Sequence, residues 1–223
     1  MQPDNTPAAA AGRLRITEIF YSLQGEAETV GLPTVFVRLT GCPLRCGYCD
    51  TSYAFTGGTW LELDQILAQV ARYRPAYVTV TGGEPLAQKP CLELLGRLCD
   101  TGYHVSLETS GALDVSGVDP RVVKVMDLKT PGSGEEERNR IGNLQRLSPQ
   151  DQVKFVISDR RDYEWARAMV REHQLDKLCG ILFSPVHGQQ EATELADWIL
   201  EDRLPVRLQI QLHKILWGNE PGR

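Results

Sequence analysis

Short apolar runs alternate with amphipathic segments along most of the chain, and this alternation limits the fold more than any other feature. Several runs rich in aliphatic and β-branched residues predict strands, and they cover residues 15–20, 34–39, 77–81, 104–109, 122–128, 153–157, 178–184 and 206–212. Many of these runs are nearly continuous in apolar residues, as expected for strands covered on both faces. The pattern predicts an α/β protein built on a mostly parallel sheet.

Amphipathic segments between the strands predict helices, and they cover residues 63–70, 92–98, 165–170 and 195–200. Repeats of strand, helix and strand form right-handed units, but the chain holds too few for a complete eight-fold barrel. We therefore expect an open partial barrel whose site lies at the C-terminal ends of the strands. One polar stretch, residues 129–150, interrupts the pattern and predicts a surface insertion or a site loop.

Composition and charge count against several classes of function. The net charge of −5 is opposite to that of a typical nucleic-acid-binding protein, and no apolar run reaches the length of a membrane span. Residues 1–13 contain an alanine run without a basic segment, which predicts a disordered tail before a single domain over residues 14–223. We expect a cytoplasmic protein, in which cysteines serve as metal ligands or buried thiols rather than disulfides.

Three cysteines, Cys42, Cys46 and Cys49, lie in one loop at C-x3-C-x2-C spacing, directly after a predicted strand. Three thiolates in one loop suit a soft metal. A closed zinc site needs four ligands, and the remaining cysteines, Cys91, Cys99 and Cys179, are isolated and typical of core thiols. The residues leave two interpretations, a zinc-bearing interaction module and a 4Fe-4S cluster with one open iron.

The cysteine loop resembles the motif of radical S-adenosylmethionine (SAM) enzymes, with Tyr48 as the aromatic residue before the last cysteine. The resemblance implies an open partial (β/α)6-type barrel in which Cys42, Cys46 and Cys49 hold a 4Fe-4S cluster. It also implies that SAM binds the open iron and yields a 5′-deoxyadenosyl radical. The sequence TGGEP at residues 81–85 resembles the motif whose glycine backbone and glutamate bind the methionine ammonium of SAM.

The same resemblance implies a larger set of SAM-binding positions at the strand ends. They are Tyr48, Cys49, Asp50, Gly83, Glu84, Glu108, Ser110, Asp127, Leu128, Lys129, Ser184, Pro185, Val186 and His187. The residues alone leave other interpretations open. Residues 106–111 also fit a strand end with a capped turn, and His187 also fits a solvated loop histidine.

Further motifs resemble the 7-carboxy-7-deazaguanine synthase family. SLQGE at residues 22–26, Asp50-Thr51 after the cysteines and QLHK at residues 211–214 occur in the family's order. The resemblance implies a radical SAM carbon–nitrogen lyase of queuosine (deazapurine) biosynthesis. Its reaction would convert 6-carboxy-5,6,7,8-tetrahydropterin into 7-carboxy-7-deazaguanine with loss of ammonia. It also implies magnesium, a homodimer and a reducing partner such as flavodoxin or ferredoxin.

Residue roles follow from this resemblance. Magnesium is expected at Thr51, and no catalytic side chain is expected beyond the cofactor-derived radical. The positions expected to bind the pterin are Leu23, Gln24, Gly25, Glu26, Arg38 and Thr81. The planar guanidinium of Arg38 suits the substrate carboxylate, although a strand-end salt bridge is an alternative for this residue.

A glycyl-radical-enzyme activase is a further alternative, because such enzymes share the cysteine motif and the small size. An activase would not need a carboxylate-binding Arg38 or a magnesium ligand at Thr51. The many predicted strands and the acidic balance count against the zinc-bearing module.

Overall fold

The computed structural model describes residues 12–218, Glu220 and Gly222. Its strands are β1 (Arg13–Leu23), β2 (Pro33–Leu39), β3 (Thr59–Glu62), β4 (Tyr77–Gly82), β5 (His104–Thr109), β6 (Val123–Asp127), β7 (Gln152–Ile157), β8 (Gly180–Pro185) and β9 (Arg207–Leu208). They form one sheet in the order β3-β1-β2-β4-β5-β6-β7-β8-β9. All neighbours from β2 to β9 are parallel, whereas β1 and β3 pair antiparallel at one edge. The sheet is not closed, and the predicted open, mostly parallel α/β architecture is confirmed.

The helices are α1 (Leu63–Arg72), α2 (Cys91–Asp100), α3 (Arg160–Glu172), α4 (Ala192–Glu201) and α5 (Leu212–Trp217). The first four confirm the predicted amphipathic segments. A capping box between Glu62 and Gln65 begins α1, and the Asp159 side chain accepts a hydrogen bond from the Asp162 amide at the start of α3. Such caps satisfy amide groups that have no partner within the helix.

The two faces of the sheet differ in chemistry. On the outer face, α1 and α2 pack on β1, β2, β4 and β5, and α3 and α4 pack on β6, β7 and β8. Along β4, Val78 and Val80 belong to that outer core, whereas Thr79 and Thr81 alternate with them. The Thr79 hydroxyl lies 2.8 Å from the Ser106 hydroxyl of the neighbouring strand. The inner face is therefore partly polar and able to surround a polar ligand.

The predicted strand over residues 206–212 is wrong beyond its first residues, because β9 ends at Leu208 and α5 begins at Leu212. The Gln209 backbone amide makes a last hydrogen bond to the Phe183 carbonyl of β8 at 2.9 Å, and its side-chain amide donates to the Ala27 carbonyl at 3.1 Å. The amide of Leu212 bonds the Gly25 carbonyl at 3.0 Å. These long-range hydrogen bonds outweigh the local strand preference of the alternating sequence.

Four further features of the structure bear on the predictions from sequence. Strand β3 was not predicted and pairs with the start of β1. The interrupting stretch contains short 3-10 turns over Pro131–Ser133, Glu136–Arg138 and Ile141–Arg146. The predicted tail lies outside the described residues except for Gly12 and Arg13, and Arg13 begins β1. Among the described helices, none is long and apolar enough to cross a membrane.

The close packing of β2 and β4 predicts a large effect of substituting Gly82. This residue pairs with Leu39 at φ 144°, and a Cβ atom there would clash with the Leu39 backbone. We expect Gly82→Ala to lower the free energy of unfolding by roughly 3 kcal/mol, measured by urea denaturation. The control is Gly102→Ala, at φ 88° with no atom near its Cβ position, which should cost about 1 kcal/mol. Equal losses in the two variants would contradict the packing argument.

Candidate active site

A cleft of about 660 Å³ opens at the C-terminal ends of the parallel strands. It is lined by every residue that was predicted to bind the cluster, SAM, magnesium or the pterin, except Glu84 and Leu128. The lining residues come from many parts of the chain, the first being Phe20 and the last Gly222. Many of them are brought together because the C-terminal ends of parallel strands lie at one edge of the sheet. The individual roles of these residues stay predictions.

The three cysteines of the loop face this cleft, and none is in a disulfide. The loop is tied down at Gly41, whose amide bonds the Ala54 carbonyl at 2.7 Å, and at Gly47, whose amide bonds the Ser133 carbonyl at 3.0 Å. Partial burial raises the pKa values of the Cys42 and Cys46 thiols.

The thiol arrangement bears on the choice of metal. Cys91, Cys99 and Cys179 do not line the cleft, so no fourth thiol completes the set there. No group of three or more His, Cys, Asp and Glu side chains within the described residues is arranged to hold a metal ion. The three thiols are therefore not gathered into a preformed metal site, but their number in this cleft matches a cluster that leaves one iron open and falls short of a closed four-ligand zinc site.

The TGGEP turn packs directly against the cysteine loop. A Cβ atom on Gly83 would clash with the Gly41 carbonyl, so only glycine permits this approach. The Glu84 side chain is fully buried and turns towards the end of β5. Its carboxylate accepts hydrogen bonds from the Thr109 hydroxyl at 2.9 Å and the Ser110 amide at 2.7 Å. The turn and the strand end are thereby held together, and the predicted contact of Glu84 with the methionine ammonium stays a prediction.

Besides Tyr48 Oη in the cysteine loop, two buried polar atoms of SAM-assigned residues at strand ends have no hydrogen-bond partner within the described residues, namely Asp127 Oδ1 and Ser184 Oγ. Both residues line the cleft, at the ends of β6 and β8. Buried polar atoms normally have partners, so these two fit a polar ligand such as SAM. Leu128, by contrast, is fully buried in the outer core and does not line the cleft.

A largely buried ammonium group joins the two sides of the cleft. Lys154 Nζ lies 2.7 Å from Glu26 Oε2 and 3.7 Å from Asp127 Oδ2, and Asp127 also pairs with Lys129 at 3.0 Å. Burial alone would raise the pKa of Glu26, but the Lys154 ammonium outweighs it and lowers the pKa to about 2. Burial raises the pKa of Glu108, which accepts a hydrogen bond from the Thr81 hydroxyl at 2.8 Å.

Arg38 lies in an aromatic part of the wall. Its Nε atom donates to Glu18 Oε1 at 2.7 Å, and its guanidinium lies 5.8 Å from the Phe20 ring centre and 5.9 Å from that of Tyr53. Phe20 stacks on Phe36 at 4.9 Å. Arg38 thus forms a salt bridge with Glu18, which was the alternative to binding the substrate carboxylate, and it also lines the cleft.

The SLQGE segment is held from two sides. Gln24 is 2% exposed, and its side-chain amide donates to the Thr79 hydroxyl at 3.0 Å. A Cβ atom on Gly25 would clash with the His213 ring. Gln211 donates to Glu26 Oε1 at 2.8 Å, so the QLHK segment packs directly on the substrate-assigned residues.

Thr51 lines the cleft beside the cysteine loop, with its hydroxyl 3.8 Å from Cys49 Sγ. The adjacent Asp50 accepts a hydrogen bond from Gln211 at 3.2 Å. The predicted magnesium position is therefore close to both the cysteine loop and the QLHK segment.

Several cleft residues were missed from the sequence, and they are Phe20, Phe36, Tyr53, Phe55, Lys154, Gln211 and His213. Lys154 had a usable signal, because a single cation within the apolar strand QVKFVI requires a buried partner. Gln211 and His213 lie in a motif that was noted but given no role. The aromatic residues had no signal that distinguishes a cleft wall from a core.

Comparisons with known proteins agree with this geometry. The Radical SAM superfamily profile matches residues 36–127. A 7-carboxy-7-deazaguanine synthase of Koribacter versatilis is 46% identical over 222 residues, covering 93% of this chain and 98% of that protein. One of Chlorobaculum tepidum is 47% identical over 208 residues, covering 92% and 94%. The crystal structure of QueE from Escherichia coli superposes with a TM-score of 0.73 at 25% identity, covering 89% of this chain and 94% of that chain.

The buried ion pair predicts a large effect of Lys154→Met on stability. Removing the ammonium leaves the Glu26 carboxylate buried without its cation, so we expect the free energy of unfolding at pH 7 to fall by roughly 3–5 kcal/mol. Because the pKa of Glu26 is lowered from 4.5 to about 2, its contribution is present above about pH 4.5 and is lost as the pH falls towards 2. The deficit of the variant should therefore shrink on acidification.

Urea denaturation between pH 3 and pH 8 measures this deficit. Lys177→Met, at an exposed lysine, is the matched control and should change stability by less than about 0.5 kcal/mol. The double variant Lys154→Met/Glu26→Gln should regain part of the loss. A deficit that is independent of pH and is not relieved in the double variant would contradict the ion-pair explanation.

Proposed function

The chain belongs to the radical SAM superfamily and, within it, to the 7-carboxy-7-deazaguanine synthase family, and we propose that it carries out that family's reaction. The reaction converts 6-carboxy-5,6,7,8-tetrahydropterin into 7-carboxy-7-deazaguanine with loss of ammonia, as a carbon–nitrogen lyase step of queuosine biosynthesis. The observation that carries the proposal is that three free thiols line the same cleft as the Glu26 and Arg38 side chains. The resemblance to this family is confirmed, and it replaces the activase and zinc-module alternatives.

The cofactors of the family fit the residues present. When bound, a 4Fe-4S cluster and SAM supply a 5′-deoxyadenosyl radical that takes a hydrogen atom from the substrate. In this proposal Cys42, Cys46 and Cys49 hold the cluster. The unpartnered oxygens of Asp127 and Ser184 hold polar groups of SAM.

Glu26 and Arg38 would orient the pterin. The amino-pyrimidinone edge of a pterin carries N–H donors, which a carboxylate accepts in pairs. Glu26 suits this role because Lys154 keeps its pKa low and the carboxylate ionised. Arg38 binds the substrate carboxylate, which places the ring between two charged anchors of opposite sign.

The QLHK segment would restrict solvent access to the substrate. Gln211 bonds Glu26, and His213 packs against Gly25, so this segment lies directly over the substrate-assigned residues. A radical reaction needs such cover, because stray hydrogen donors would divert it.

Magnesium is proposed to bind the Thr51 hydroxyl. Mg²⁺ retains several waters and takes few protein ligands, so one hydroxyl together with substrate oxygens is a sufficient site. A homodimer in the cytoplasm, reduced by flavodoxin or ferredoxin, completes the proposal and follows the expectation from the family.

The proposed reaction is tested with anaerobically reconstituted protein, dithionite, SAM, magnesium and 6-carboxy-5,6,7,8-tetrahydropterin, with the product followed by mass. We expect 7-carboxy-7-deazaguanine from the wild type and none from Cys46→Ala, which should also lose the iron–sulfur absorbance. Cys99→Ala is the control, because Cys99 does not line the cleft and should leave both signals unchanged. SAM cleavage with an intact pterin would overturn the substrate assignment.

The magnesium site is tested by comparing Thr51→Val with Thr51→Ser. The valine variant has the shape of threonine but no hydroxyl, so we expect its dependence on Mg²⁺ to shift to at least about tenfold higher concentration. The serine variant retains the oxygen and should stay close to the wild type. An unchanged magnesium titration for Thr51→Val would remove this residue from the site.

A further inference from the structure

A β-bulge near the start of β1 sets which side chain faces Arg38. The pairing of β1 with β2 runs from Ile16 opposite Leu39 directly to Glu18 opposite Arg38, which leaves Thr17 as the extra residue. In a regular ladder Thr17 would face Arg38, and Glu18 would point to the other face of the sheet. The bulge therefore turns Glu18 towards the guanidinium, as bulges commonly re-aim side chains beside functional sites.

One carboxylate oxygen of Glu18 makes two hydrogen bonds. Glu18 Oε1 accepts from Arg38 Nε at 2.7 Å and from the Tyr53 hydroxyl at 2.8 Å. The rings of Phe20 and Tyr53 also lie close to the guanidinium. The orientation of Arg38 is thus restrained by one ion pair and two aromatic faces.

The restraint leaves one part of the guanidinium available. Arg38 lines the cleft, whereas Glu18 does not. Within the described residues no hydrogen bond of Arg38 Nη1 or Nη2 is found, and the side chain is 14% exposed. A planar guanidinium binds a carboxylate through two parallel N–H groups, and this geometry fails if the plane rotates.

We propose that Glu18, supported by Tyr53, is a positioning residue that fixes Arg38 for ligands carrying a carboxylate and so contributes to substrate specificity. This inference rests on the function proposed above. It assigns a role to Glu18, which does not line the cleft, and to the bulge that turns Glu18 towards Arg38.

The charge of Glu18 distinguishes orientation from simple attraction. A carboxylate beside Arg38 lowers the positive potential there and on charge alone disfavours a second carboxylate. Its benefit must therefore come from orientation. Glu18→Gln removes the charge but keeps an oxygen that accepts both hydrogen bonds, whereas Glu18→Leu removes both acceptors.

The experiment measures the affinity of anaerobically reconstituted protein, with SAM and Mg²⁺, for pterin-6-carboxylate and pterin-6-carboxamide by titration calorimetry. Neither probe requires turnover. We expect the wild type to prefer the carboxylate by at least about tenfold, and Glu18→Leu to lose about tenfold for the carboxylate with less than about twofold change for the carboxamide. Glu18→Gln should keep the wild-type ratio or increase it.

Tyr53→Phe provides a second test that does not depend on the folding of Glu18→Leu. It removes one of the two hydrogen bonds to Glu18 and retains the ring. The preference for pterin-6-carboxylate over pterin-6-carboxamide should therefore fall about threefold. If the wild type shows no preference, the proposed role of Arg38 in substrate binding fails. Two other results would overturn the positioning role while the proposed reaction stands. In the first, Glu18→Leu and Tyr53→Phe prefer the carboxylate over the carboxamide as strongly as the wild type does. In the second, the variants lose affinity for both ligands to the same extent.

Discussion

The cleft depends on the ion pair between Lys154 and Glu26, which joins strand β7 to the loop after β1 across the inner face of the sheet. Asp127 of β6 extends the same network to Lys129. Neither charge could be buried alone at this depth, since an unpaired ionised group loses its solvation. Substrate-assigned Glu26 and SAM-assigned Asp127 and Lys129 consequently belong to one network of ion pairs.

Much of the fold could be predicted because its signals are local. The apolar runs located the parallel strands, and the spacing of apolar residues located the four long helices. The strand predicted over residues 206–212 failed because Gln209 and Gln211 alternate with apolar residues, which imitates the period of a strand. What decides their conformation is a set of hydrogen bonds to Ala27 and Glu26, more than 180 residues earlier in the chain.

The candidate site was predictable where short motifs carry the chemistry, as in the cysteine loop and the TGGEP turn. Motifs do not reveal the direction of a side chain. Glu84 illustrates this, because its carboxylate turns to the end of β5 and is fully buried there. Glu18 illustrates a second limit, since its position opposite Arg38 follows from a bulge that alternation of residues does not reveal.

The buried carboxylate of Glu84 has a consequence for how the protein can diverge. Thr109 and Ser110 both donate to it, and so does the Leu86 amide, so one carboxylate collects hydrogen bonds from the turn after β4 and from the end of β5. Loss of the Thr109 or the Ser110 hydroxyl weakens the solvation of a fully buried carboxylate without leaving either oxygen bare, because the Leu86 and Ser110 amides still donate to it. Because Glu84, Thr109 and Ser110 share these hydrogen bonds, the effects of substitutions at the three positions are expected to be non-additive, so the residue accepted at one position depends on the other two.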